Sequence, residues 1–323
     1  MAPRCTLLLV FVLLFSCTTP ARANDAAAEV AAGGILLRRE PRISMNKEKL
    51  TITQDKVTVE YEFLNESDSE ITSEVAFPVP PYEADADEGY PPKWFENFQA
   101  WVDDRPLHLE IDAKATFKNT DYTAFLKGMG IDLLTFAHFD PQAWQSDLSN
   151  WPAERKAKLL QLGLIDSRGV PQWTLAKTYH WNQRFPPHKT LRVRHAYEPV
   201  VGFEGFHTGE IAEKLKDACI DPSLPTKLAH VIAQNLESGK RVRGDVYINA
   251  TWVKYILTTA NTWKTPIKDF ELVVDRRASD NRPYLVSFCW DGPVQRVDAN
   301  RFSAKKLNFV PEKELTVYFL ANF

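Results

Sequence analysis

The side chains able to do chemistry are spread through this chain without a catalytic spacing. Seven histidines stand at His108, His138, His180, His188, His195, His207 and His230. None falls in H-E-x-x-H, the pattern that puts two imidazoles and a general base on one helix face for zinc. His195 shares a strand face with Leu191, Val193 and Tyr197, which reads as a hydrogen-bonded core or interface imidazole. No serine occupies G-x-S-x-G, the sharp turn that exposes a nucleophile. The 13 glycines form no phosphate-binding loop. Glycosidase chemistry needs two carboxylates across a cleft. With 42 acidic residues, candidate pairs are guaranteed, so their existence selects nothing. The acidic segment 82–92 lacks the twelve-residue calcium-loop spacing and reads as a solvated loop. No metal and no cofactor are expected.

Aromatic residues are the more suggestive chemistry. Nine tryptophans are present, and an indole face can stack on a sugar or a peptide as well as fill a core. The phrase NTWKTPIKDF, residues 261–270, holds Pro266 between two strand-like runs. That places Trp263, Lys264 and Asp269 in a candidate binding loop, since binding residues concentrate on loops carried by a rigid scaffold. The competing reading is a Trp-Pro plug closing the end of a sandwich.

The N-terminus predicts the compartment. Arg4 precedes an apolar run at 7–15, and Ala21-Arg22-Ala23 follows as an A-x-A cleavage site. Residues 1–23 therefore read as a signal peptide, and the protein is expected in the periplasm or otherwise outside the cytoplasm. A competing lipid-attachment box ends at Cys17, with Phe15 bulky where a small residue is usual. Cleavage takes Arg4 and Arg22, two of 39 basic residues, and leaves a net charge of −5 against 42 acids. That mild acidity excludes a nucleic-acid footprint and argues against anionic lipid surfaces. No later run approaches the ~18 apolar residues of a membrane span. Of four cysteines, Cys219 and Cys289 survive cleavage. In an oxidising compartment the simplest state is one disulfide, closing a loop of about 70 residues and contributing up to roughly 4 kcal/mol. Two separate buried thiols are the alternative.

These groups must be positioned by strands. In residues 57–80, Val57, Val59, Tyr61 and Phe63 alternate with Thr58, Glu60 and Glu62, and the alternation resumes at Ile71, Val75, Phe77 and Val79. Period-two alternation means one buried and one wet face, and the short Asn/Ser/Asp link predicts an antiparallel hairpin. Further strands are expected around 98–111, with a turn at Asp103-Asp104, then at 174–181, 190–197 and in several runs after 246. The period becomes helical within 121–166, where Pro152 opens and Gly163 closes a short helix, and again at 222–237. The fold class is mainly β: two β-sandwich-like lobes, 24–200 and 201–323, with a helical insertion at 121–166 in the first and a short helical segment between them.

Several phrases occur in an order that resembles a known family: VEYEFLNESD, VAFPVPP, WVDDRPL, YHWNQRFPPHKTLRVRHAYEP, ACID, KYILTTANTWKTPIKDFELVVD, VSFCW and NFVPEKELTVYF. Together they are similar to the secreted bacterial family of domain of unknown function 4424. The resemblance implies an exported, mostly β protein and brings no activity. Both mature cysteines fall in family-like phrases, in keeping with the disulfide. Asp104 departs from the glycine of a VDG-type turn. The first half also resembles, more weakly, the VIT domain found beside adhesion modules. The expected function is a non-enzymatic binding or interaction module of the cell envelope, with an envelope protein or glycan as partner. Carbohydrate binding or carbohydrate-active chemistry through exposed tryptophans is the alternative.

Overall fold

The computed structural model describes residues 26–31, 34–37, 40–79, 82–83, 95–134, 150–199, 201–220, 247–277 and 284–321. These fold mainly as β-strands. The first group is β1 (Ala26–Ala31), β2 (Gly34–Leu37), β3 (Ile43–Ile52), β4 (Val57–Asn65), β5 (Ile71–Pro78), β6 (Tyr82–Glu83) and β7 (Glu96–Val102). There follow β8 (Arg105–Pro106), β9 (Glu110–Phe117), β10 (Thr120–Asp121), β11 (Thr174–Phe185), β12 (Thr190–Glu198) and β13 (Val201–His207). The last third holds β14 (Tyr247–Tyr255), β15 (Ile267–Asp275), β16 (Leu285–Phe288), β17 (Val294–Arg296), β18 (Arg301–Phe309) and β19 (Leu315–Ala321). Three short α-helices are α1 (Thr123–Gly128), α2 (Ala153–Gln161) and α3 (Ile211–Lys214).

The strands form three sheets. A seven-stranded sheet runs β10-β9-β11-β5-β1-β2, with β6 also on β11. An eight-stranded sheet runs β17-β18-β15-β3-β4-β12-β7-β8, and a four-stranded sheet runs β13-β14-β19-β16. The eight-stranded sheet draws strands from both sides of residue 200, because β3 pairs in parallel with β15 from Lys47 beside Asp269 to Ile52 beside Val274.

One expectation needs correction. The 57–80 stretch is not a hairpin: β4 pairs with β3 and β12, while β5 pairs with β11 and β1 in the other sheet. The Asn65 side chain ties the connecting turn, accepting from the Ser67 amide at 2.9 Å and donating to Ser69 and Phe185 carbonyls. Alternation reports which face is buried and not which strand lies alongside. β4 buries alternate residues and β5 buries Ile71, Val75 and Phe77, with Ala76 as well, because both runs face one core.

That core is shared by all three sheets. It holds Val57, Val59, Tyr61 and Phe63 of β4, Phe77 of β5, Tyr255 of β14 and Phe270 of β15. A polar thread crosses it: the Tyr61 and Tyr255 hydroxyls lie 3.0 Å apart, and Tyr255 donates to buried Glu48 at 3.2 Å. Burial pushes the Tyr255 phenol well above its ordinary value.

The helical insertion packs outside the seven-stranded sheet. Leu126 of α1 and Leu159 of α2 meet Ala115, Trp173 and Leu175 in a second core. Pro152 is the N-cap of α2, and Gly163 ends it at φ 69°, with the Leu164 amide bonding back to the Leu159 carbonyl at 2.9 Å. Residues 135–149, which carry Phe136, Phe139 and Trp144, and the helix expected at 222–237 lie outside the described residues. So do residues 84–92 of the acidic segment. The Asp103-Asp104 link between β7 and β8 is a two-residue turn with both residues at positive φ, 45° and 64°. The aspartates adopt there the left-handed conformation that glycine adopts more freely.

Candidate functional site

The loop singled out by sequence is split by the fold. Trp263 is 1% exposed, so its indole presents no face to a ligand. It packs on Phe63 at a centroid distance of 4.6 Å and edge-on to Phe185 at 6.5 Å. Main-chain bonds from Glu40 to Thr262, 2.8 Å, and from Lys264 to Ile43, 3.0 Å, pin the loop to the start of β3. The plug reading describes this residue. The Lys264 ammonium bonds the Glu66 carboxylate, which also accepts from Ser44 at 2.5 Å and faces Lys268 at 3.5 Å. The Lys264 bond, then the Ser44 bond, hold the Glu66 carboxyl down at about 2. Asp269 stands apart, exposed on β15 beside Leu307 of β18.

The three central histidines are likewise separated. His195 is fully buried among Tyr61, Phe77, Phe98 and Tyr197. His180 Nδ1 lies 2.7 Å from Glu74, and exposed His188 lies 2.9 Å from Asp68. Among the described residues no group of three histidine, cysteine or acidic side chains is placed to hold a metal.

The tryptophans divide by depth. Trp173 and Trp181 are buried with Trp263. Trp101, half-buried, lies under the Arg194 guanidinium at 3.7 Å, and Trp151 under Arg155 at 5.3 Å. Trp252 lies flat over Gly202 across the β13–β14 ladder, where any β-carbon would come within 2.1 Å of the indole. Trp290 is different, because it lines an open cleft.

That cleft encloses about 530 Å³ beside the link from β18 of the eight-stranded sheet to β19 of the four-stranded one. Its apolar surface comes from Leu257, Trp290, Phe309, Val310 and Leu315, and its charges from Asp291, Lys306, Glu312, Lys313 and Glu314. Cys219 and Cys289 line one side, both exposed, with their sulfurs 2.04 Å apart, at disulfide distance. Phe270, Trp290 and Phe309 form an aromatic stack, with centroid distances of 5.6 Å from Phe270 to Trp290 and 4.9 Å from Phe270 to Phe309. The Lys306 ammonium lies 5.1 Å above the Trp290 ring and 3.1 Å from Asp291. Both walls are fixed. Glu314 accepts from the Leu257 amide at 2.6 Å and the Thr258 hydroxyl at 2.6 Å. Asn261 donates to the Pro311 carbonyl at 3.0 Å, and Ser287 to the Ala218 carbonyl at 2.8 Å. An apolar, aromatic wall with a few placed charges is the kind of surface that binds a ligand.

The strand beside the cleft is half open. β17 pairs with β18 from Phe302 to Ala304, so among the described residues the stretch 305–309 has a ladder on the β15 side alone. Asn308 takes φ 51° without a change of register against β15, and Phe309 beyond it lines the cleft with Lys306. Leu307 is left 76% exposed and Val310 52%. Val294 and Val297 are also exposed, but farther along the ladder, beside Ala304 and Arg301. Sequence reasoning placed 307–309 only as a strand. The usable signal was Lys305-Lys306-Leu307, where adjacent lysines and then an aliphatic break the alternation.

Elsewhere the wet face of the same sheet satisfies itself. Glu271 bridges Lys49 at 3.8 Å and Lys305 at 3.6 Å, and Arg192 reaches Glu62 at 3.9 Å.

Residues 23–318 match the model of a family described as Domain of unknown function (DUF4424). No curated protein matches the chain. Among solved structures it is similar to a candidate nutrient-binding protein from Legionella pneumophila subsp. pneumophila str. Philadelphia 1. The two share 14% identity over 87% of this chain and 68% of that one, with a TM-score of 0.40.

Proposed function

The chain belongs to the DUF4424 family, and from that premise we propose that it is an exported binding module of the cell envelope, acting through a surface and not through reactive groups. One observation carries the reading: Leu307 and Val310, both exposed, stand at the end of a half-open strand beside a rigid aromatic cleft. Exposed apolar side chains beside an apolar cleft are a feature of interaction sites in soluble proteins. The cysteine pair at disulfide distance fits an oxidising compartment, and no helix among the described residues is long and apolar enough to cross a membrane. On this reading residues 1–23 are removed on export, and the mature chain works in the periplasm or at the cell surface.

Photo-crosslinking in cells tests it, with a benzophenone residue at position 307 of the exported chain and a control at position 192 on the self-paired face. A discrete envelope adduct at 307 and none at 192 supports the reading. Equal labelling at both sites, or no adduct, overturns it.

Carbohydrate binding keeps one favourable observation, which is that Trp290 lines the cleft. Quenching of tryptophan fluorescence by cell-wall glycans, lost in Trp290→Phe, would favour it. A flat titration across the panel removes it.

A further inference from the structure

We infer that Cys219 and Cys289 form a thiol–disulfide exchange site: a dithiol reduces the bond between them while the protein stays folded, and the state of the pair sets the wall of the cleft. The exchange stands independently of what the cleft binds. Only its consequence for a ligand rests on the binding-module reading.

Access comes first. Exchange requires a thiolate to reach a sulfur, so exposed disulfides are the labile ones and buried disulfides resist. Both cysteines are exposed, and both line the cleft. The chain beside them is covered: Ala218 is fully buried and Ser287 nearly so. The fold therefore brings the pair to the surface without opening the packing behind it.

That packing holds the two segments together without the sulfur bond. Ser287 donates to the Ala218 carbonyl at 2.8 Å in a buried contact. β16 is paired with β19 from Leu285 beside Leu320 to Phe288 beside Val317. Ile211, Leu215 and Ala218 pack on Ile248, Ala250 and Leu320. Reduced cysteines therefore stay neighbours, which is the condition for closing the bond again in the same molecule.

The backbone on either side would respond. Cys219 ends the 3₁₀ turn Lys216–Ala218 at φ 50° and ψ 47°, a left-handed conformation that a residue with a β-carbon seldom adopts. Reduction leaves it free to depart from there. Cys289 directly precedes Trp290, and among the described residues 289–293 run between β16 and β17 outside any strand. The sulfur bond is thus the covalent hold beside the indole of the cleft wall.

The chemistry balances with the dithiol as co-substrate. One of its thiols, as the thiolate, attacks one sulfur, forming a mixed disulfide and releasing the other cysteine as a thiolate that takes up a proton. The second thiol then loses its proton and displaces the first cysteine, closing the dithiol into its own disulfide. Two electrons and two protons pass to Cys219 and Cys289.

The probe is dithiothreitol, added to the oxidised mature protein, with free thiols counted by maleimide labelling and mass spectrometry. Two labels should appear while far-UV circular dichroism is unchanged, at a rate that stays constant in urea below the unfolding transition. Reduction that proceeds only through the unfolded chain would instead accelerate with urea in step with the unfolding equilibrium, and that result overturns the inference. So does protein that carries two labels before any reductant is added. Reduction should also change the tryptophan emission, and the change should be absent in Trp290→Phe; unchanged emission in the parent protein removes the link to the cleft. Urea-independent reduction with no crosslinked adduct at position 307 would keep the exchange site and remove the binding-module reading, and the reverse pair of results would do the opposite.

Discussion

Two places in this molecule combine a tryptophan, a lysine and an acid, and the fold uses them in opposite ways. At the 261–268 loop, Trp263 is 1% exposed and Lys264 is locked onto Glu66, itself bonded by Ser44. At the β18 margin, Trp290 lines an open cleft and Lys306 is paired only with Asp291, whose carboxylate is fully exposed. Residue type alone would not separate them. The difference lies in what covers the indole: Phe63 and Phe185 close over Trp263, while Trp290 is stacked on Phe270 and Phe309 and left open on the cleft side. The first cluster holds the sheets together, and the second faces an open cleft.

The sharpest way to break this comparison is to truncate the buried indole. Trp263→Ala should cost about 3–5 kcal/mol of stability, by lost burial and a cavity between β4 and β11. The drop would be read in the urea midpoint. A cost under ~1 kcal/mol would mean that Trp263 is not a structural plug. Next, Cys289→Ser should cost about 2–4 kcal/mol by freeing the loop of 70 residues between the cysteines. It should also loosen the Cys289–Trp290 side of the cleft, seen as faster amide exchange there than at β4.

A smaller effect is expected from the Glu66 cluster. Its folded carboxyl sits at about 2 against an ordinary 4.5, so its stabilisation is present above about 4.5 and lost as pH falls toward 2. The group is partly solvated, so Glu66→Gln should cost below about 1 kcal/mol at neutral pH. The variant should lose correspondingly less stability than the parent between pH 5 and 3, measured by denaturant titration at each pH. Smallest of all, Leu307→Asn should change stability by no more than about 0.5 kcal/mol, because the side chain is already in water. A large loss would place Leu307 in the structural class with Trp263.

Much of the fold was legible in the chain. The alternation at Val57, Val59, Tyr61 and Phe63 named the buried face of β4 residue by residue. Pro152 and Gly163 bracketed α2, and the count of mature cysteines gave the pair at disulfide distance. Pairing partners were not legible. Burial fixes the facing of a strand locally, whereas its neighbour depends on connections that leave no local trace, as the β4–β5 turn shows. The margin was missed for a related reason: Leu307 looks like any strand aliphatic until the early end of β17 is known. The importance of NTWKTPIKDF was visible, but not whether it served packing or recognition.

The parallel pairing of β3 with β15 has a consequence for how the protein is made. Residues 43–52 find one neighbour, β4, at once, but the other, β15, only after residue 274 has been synthesised. Closing so distant a contact is entropically slow, so the β3–β15 ladder forms after the β3–β4 and β4–β12 ladders beside it. The eight-stranded sheet is therefore left in two parts, β3-β4-β12-β7-β8 and β15-β18-β17, until this one parallel ladder closes and joins them.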